Sequence, residues 1–261
     1  MRFPYHPFHL VSSSPFPLLV SCSIILIVIG FLSWLHGVTS SLFYLGLFNL
    51  ILALVGWFSN IILEASYLGC HTARVQSGLR FGIILLIISE VFFFFRFFWA
   101  YLHCGLSPPV ELGSLWPPKG LVPVNPYSLP LLNTVLLVTS GLTVTWSHAS
   151  LRSGTYTCCI FGLSFTIFLG RLFTVLQGLE YSLCSFSIAD SAYGSSFYLA
   201  TGFHGLHVIF GSLFLLVCFF RFFDYHFSPL RHLSFEFAIW YWHFVDVVWL
   251  LLYLIFYCWG S

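Results

Sequence analysis

Seven stretches of about twenty or more mostly apolar residues follow one another along this chain, at roughly 15–37, 40–64, 73–104, 127–151, 155–183, 190–222 and 232–258. A helix rising 1.5 Å per residue needs about 20 apolar residues to cross the hydrocarbon of a bilayer. In lipid, every backbone N–H and C=O must be satisfied inside its own segment, so runs of this length read as helices. The expected fold is therefore an all-α integral membrane protein of seven transmembrane helices, one membrane domain over residues 1–261 with no soluble insert. Composition agrees: 59% of residues are hydrophobic and only 7% charged. A soluble domain carries about 25% charged residues, so a chain with so few needs lipid for much of its solvent. A net charge of +1 leaves no basic footprint for nucleic acid.

The linkers orient the spans. With the N-terminus inside, the inner segments hold Arg2, Arg74, Arg80, Arg152, Arg221 and Arg231, and the outer ones only Lys119. Basic residues in short loops stay on the cytoplasmic or matrix side, and an odd number of spans then puts the C-terminus outside. The longest loop, 105–126, is rich in proline, which suits a stiff extramembrane segment rather than a helix. The opening Met1 to His9 has the pattern of neither a secretory signal nor an Arg/Ser-rich transit peptide. If the chain resides in an organelle, the expectation is that it was made there or had its leader removed.

Eight cysteines would suggest a disulfide framework only in a short secreted chain. Here Cys22, Cys158, Cys159, Cys218 and Cys258 lie inside apolar runs and read as small packing residues. Eleven histidines invite a haem or metal reading, but their spacings along single helices do not assemble a ligand set. His204 and His207, three apart, share one face without an acidic or thiol companion at helical spacing. The expectation is no metal on this chain, its histidines hydrogen-bonding across helices.

Ionisable residues inside spans are the default functional candidates. Glu90 lies near the middle of the third span, and a carboxyl there must face a polar partner in the bundle. Asp246 follows His243 by three positions and can pair with it. Arg96 lies six positions after Glu90, about 120° away around the helix, and Arg171 lies opposite Glu180. Their partners must come from other helices, lipid or another subunit. Internal repeats and broken midplane helices, the marks of a transporter, are missing from the sequence. A stand-alone membrane carrier is the alternative reading from another functional class.

Several strings go beyond what lipid requires of a helix. They are Gly78-Leu-Arg-Phe-Gly82, Ser89-Glu90-Val91-Phe92, Phe97-Phe98-Trp99-Ala100, Glu111-Leu112-Gly113 with Trp116-Pro-Pro-Lys-Gly120, Pro130-Leu-Leu-Asn-Thr134, Phe173-Thr-Val-Leu-Gln177 with Glu180-Tyr181, and Tyr193-Gly-Ser195. The longest are Ala200-Thr-Gly-Phe-His-Gly-Leu-His-Val-Ile209 and Trp240-Tyr-Trp-His-Phe-Val-Asp-Val-Val-Trp249, with Trp259-Gly-Ser261 at the end. In this order, from about residue 6 to 261, the chain resembles subunit III of cytochrome c oxidase of the mitochondrial type.

The resemblance implies a core subunit of respiratory complex IV, the translocase that oxidises cytochrome c, reduces O2 to water and pumps protons. It implies the mitochondrial inner membrane, with the N-terminus in the matrix and the C-terminus in the intermembrane space. A bacterial plasma-membrane form is the alternative location. Haem a and copper belong to partner subunits. The first two helices stand apart from the other five across a V-shaped cleft that holds phospholipid (phosphatidylglycerol, phosphatidylethanolamine or cardiolipin). Implied partners are subunits I and II, small accessory subunits, membrane lipid and respiratory supercomplex neighbours. The implied role is to stabilise subunit I and to support proton uptake and oxygen access.

By resemblance and inner-side chemistry together, the lipid candidates are Trp57, Glu64, His71, Arg80, Trp99, His207, Arg221 and Arg231, and Glu90 matches the family's intramembrane carboxyl. Arg96 and Arg171 depart from the family pattern, which has small or apolar residues there. Ala149 follows His148 where a second histidine is common.

Overall fold

The computed structural model describes residues 6–108, 110 and 113–260. Arg2, Glu111, Leu112 and Ser261, which entered the topology and motif readings, lie outside the described residues. Seven helices follow in order: α1 (Phe16–Leu35), α2 (Ser41–Ser66), α3 (Ala73–Leu106), α4 (Leu129–Arg152), α5 (Tyr156–Leu183), α6 (Ser191–Phe223) and α7 (Leu233–Leu252). All seven are long and apolar enough to cross a membrane, the last span running on to Cys258. Over Tyr253–Cys258 the chain widens into a π-helical turn. Among the described residues there is no strand, only one isolated bridge between Ser228 and Arg231.

The chain packs as two compact units, one up to Leu79 and one from Arg80, the boundary falling inside α3. In the first unit α1 and α2 form an antiparallel hairpin. Gly30 lies against the backbone of Leu42 and Phe43, Gly46 against Ile27, and Gly56 against the ring of Phe16. The buried residues of the pair are Ser23, Gly30, Gly46 and Ala53. Small side chains at seven-residue intervals let two backbones approach closely, which is how helices gain van der Waals contact where lipid offers no hydrophobic drive. Large side chains such as Ile25, Phe48 and Leu52 point outward.

The second unit has the densest core. The α4–α5 seam repeats the small-residue device with hydroxyls added. Ser147 Oγ donates to the Cys159 carbonyl at 2.7 Å, and Thr143 and Thr166 bond through their hydroxyls at 2.8 Å. The turn between the two helices needs only Ser153, Gly154 and Thr155. Gly154 takes φ +80°, the left-handed cap conformation that glycine adopts without a Cβ penalty. There the Thr155 N–H reaches back to the Ser150 carbonyl. Trp242, Trp249, Phe173, Phe197, Phe222 and Phe235 fill the middle. Cys159 and Cys218 pack there too, whereas Cys22, Cys158 and Cys258 sit on outward faces. In those outer positions a cysteine contributes no core packing, a departure from the uniform packing role expected of them.

Candidate functional site

Glu90 lies midway along α3, and its carboxylate oxygen Oε2 stands 3.0 Å from His207 Nε2 on α6. The other ring nitrogen, Nδ1, is 2.6 Å from the Phe203 carbonyl. A carbonyl only accepts, so Nδ1 carries a proton, and Nε2 of the neutral ring presents a lone pair to the carboxylate. The contact therefore requires one more proton, on the acid or on the imidazole. Phe94 meets the histidine edge-on at 5.0 Å between centroids, and Phe93 and Tyr241 stack beside it. This aromatic surround is apolar, and a charge-assisted bond gains strength where water is scarce. Sequence reasoning named both residues separately; the structure joins them into a proton-sharing pair.

A second polar group lies deeper, and the sequence named its residues without joining them into a network. Glu180, 2% exposed, accepts the Tyr257 hydroxyl at 2.5 Å and the Gln177 side-chain amide at 3.2 Å. Asn133 of α4 donates to Gln177 at 3.5 Å. Glu180 Oε2 and Asn133 Oδ1 find no partner among the described residues. The signal was present as Gln177 and Glu180 three apart on α5, but their tyrosine partner is 77 positions away. His204 is equally buried and faces the Val245 carbonyl at 3.2 Å. His243 and Asp246 approach to 3.7 Å.

The lipid candidates separate by unit. In the first, Glu64 pairs with His9 at 3.1 Å, and His9 lies beside His71, their centroids 6.1 Å apart. Burial, with His9 nearby, pushes the His71 imidazole below the ordinary histidine range, against the pull of Glu64. Trp57 is half-buried on α2. In the second unit, Arg80 reaches Glu236 at 3.5 Å. Arg221 bonds the Ser234 hydroxyl and lies 4.4 Å over the Phe227 ring. Its guanidinium is thus already engaged by the protein at its α6 end. Trp99 and Arg231 are exposed, Trp99 with its ring 6.2 Å from that of His103.

Comparison with known proteins bears directly on this arrangement. A family model described as cytochrome c oxidase subunit III matches residues 6–261. The chain belongs to the cytochrome c oxidase subunit III family. Curated relatives named cytochrome c oxidase subunit 3 include those of Anopheles gambiae, 53% identical, and of Pisaster ochraceus and Pelomedusa subrufa, each 52% identical. Each alignment covers 98% of this chain and 98% of the relative. The match spans all seven helices, so the Glu90–His207 pair and the Glu180 network lie in subunit III sequence, not in a lineage-specific addition.

Proposed function

We propose that this chain works as a core subunit of cytochrome c oxidase, complex IV, and that its own part is structural and lipid-binding rather than redox. The observation that carries the reading is the match to the subunit III family over residues 6–261. On this reading haem a and copper reside in subunits I and II, and the chain stabilises subunit I alongside small accessory subunits. Its membrane is the mitochondrial inner membrane, with the N-terminus in the matrix, in keeping with the arginines Arg74, Arg80, Arg152, Arg221 and Arg231 in or near the helix ends that flank alternate linkers.

Phospholipid is the ligand class. Trp57 and Trp99 offer flat apolar surfaces for acyl chains. Arg80, Arg221 and Arg231 stand near helix ends, where headgroup phosphates lie. Glu90 and His207 hold one exchangeable proton in a water-poor setting, the chemistry needed to support proton uptake by a neighbouring subunit.

The test is purification in mild detergent through a tag on this chain. Haem a absorbance with co-purifying subunits I and II is the expected result. A colourless, stable and solitary protein would overturn the proposal and restore the stand-alone carrier.

A further inference from the structure

Three ligand-type atoms converge where α4 ends and α7 begins. His148 Nε2 and His232 Nε2 are 3.2 Å apart. His232 Nε2 is 3.4 Å from Glu236 Oε1. All three residues offer a ligand atom within 4.8 Å of the others. His148 stands in the last turn of α4. His232 caps the N-terminus of α7, and Glu236 follows one turn later. The set uses two helices, so spacing along either one does not display it.

The proton inventory shows what the cluster lacks. His232 Nδ1 is 3.0 Å from the Ser228 carbonyl. That nitrogen must donate, which leaves the neutral ring with its lone pair on Nε2, aimed into the cluster. There it meets a carboxylate oxygen, which is also an acceptor. The one N–H that His148 can turn inward satisfies a single neighbour. Without an added proton, an acceptor faces an acceptor. A cation accepts all three lone pairs at once.

The geometry suits such a cation. With Zn–N and Zn–O bonds of about 2.0–2.2 Å, the ligand atoms of a tetrahedral site are about 3.3–3.6 Å apart. The separations of 3.2 and 3.4 Å are close to two such edges. The outer contacts also match. Metal-binding histidines donate their far N–H to a carbonyl or carboxylate, as His232 does to Ser228. Arg80 engages Oε2 of Glu236 and leaves Oε1 for the cluster. Phe235 packs edge-on against His148, ring centroids 6.1 Å apart. His148 is half-buried and the Glu236 side chain is 23% exposed, so the cluster is not sealed from its surroundings. Arg80 and Arg152 put positive charge near the cluster, and they temper its affinity.

We propose that His148, His232 and Glu236 form a divalent transition-metal site of zinc type, with one position open. Two imidazoles and one carboxylate suit zinc better than calcium or magnesium, which take all-oxygen shells.

The test uses the intact complex purified through this chain, stripped with a chelator and titrated with radioactive zinc. Wild type is compared with His148→Ala and Glu236→Gln; zinc bound elsewhere cancels in the difference. The expected result is one more zinc per complex in wild type, with at least tenfold weaker binding at this site in either variant. In wild type alone, zinc should also slow diethyl pyrocarbonate modification of His148, read by peptide mass spectrometry. Equal zinc occupancy in all three proteins would overturn the site and leave a hydrogen-bonded cluster. Should a variant fail to assemble, wild-type protection decides alone: modification of His148 at the same rate with and without zinc overturns the proposal.

Discussion

A histidine whose far nitrogen is committed to a carbonyl can meet a carboxylate only through one shared proton, and that constrains what Glu90 tolerates. Glutamine at position 90 can donate its amide N–H to the His207 Nε2 lone pair, so Glu90→Gln should keep the contact and the assembly. Glu90→Ala leaves that nitrogen without its partner, at a cost of about 1–3 kcal/mol. The check is the thermal stability of the purified complex: Glu90→Gln near wild type, Glu90→Ala clearly lower. Loss of assembly in Glu90→Gln would mean that the carboxyl group itself holds the helices together. Glu90 was legible in the sequence because an ionisable residue inside an apolar run stands out. Its partner was not, since His207 lies 117 positions away and eleven histidines compete for the role. Glu180 stood in the sequence as a motif residue opposite Arg171, but its burial was illegible for a related reason. It sits near the end of a span, where a carboxylate reads as solvated, and only the tertiary fold covers it with Tyr257. His9 likewise gave no sign that it would reach Glu64.

At the scale of elements, α7 is locked by one indole. Trp242 is fully buried and lies in a slot made by Gly170 of α5 and Gly211 of α6. A Cβ at Gly170 would stand 2.6 Å from the ring, and one at Gly211 2.9 Å. Its Nε1–H donates to Ser140 Oγ of α4 at 2.9 Å, so one side chain ties four helices. Gly170→Leu and Gly211→Leu should each destabilise the bundle by about 1–3 kcal/mol through overpacking. Trp242→Phe should cost about 1 kcal/mol for the lost hydrogen bond, besides the cavity left by the smaller ring. Thermal unfolding of the detergent-purified complex, followed by size-exclusion chromatography, reads all three; wild-type midpoints for both glycine variants would dissolve the slot argument. Helix positions were legible from the apolar runs and from the proline-rich stretch 105–126, where Pro108 stops α3 just past Leu106. Which face of each helix is buried was not. A helix that is apolar nearly all round gives no stripe to read, and here glycine and serine mark the interior while phenylalanine and leucine cover the outside. The π-helical turn at Tyr253–Cys258 left no mark in the sequence either.

For the whole molecule, the outward faces carry the remaining information. Phe92, Phe95, Phe161, Phe165 and Phe168 are all exposed, as befits surfaces solvated by lipid or by other membrane subunits. Arg96 on α3 and Arg171 on α5 share those faces, and among the described residues neither has an ion-pair partner. The sequence already required their partners to come from beyond their own helices; the structure shows that no described residue of the second unit supplies one. A lone arginine at mid-span costs about 2.5–3.5 kcal/mol on insertion scales. Arg171 lies 12 positions from the end of a 28-residue helix, about 18 Å along its axis, a long way for a side chain to reach the headgroups. An acidic group on a neighbouring subunit, or the phosphate of a lipid held between subunits, would offset that cost. Arg96→Leu and Arg171→Leu should therefore leave this chain's own helices folded, since neither guanidinium contributes to its core, yet loosen it from the oxidase. The measurement is the ratio of this chain to subunits I and II after purification in mild detergent, with bound lipid quantified by mass spectrometry. Loss of subunits points to a protein carboxylate, and loss of lipid with the subunits retained points to a phosphate. Full assembly, unchanged lipid and a normal melting midpoint in both variants would mean that the arginines are tolerated without a partner.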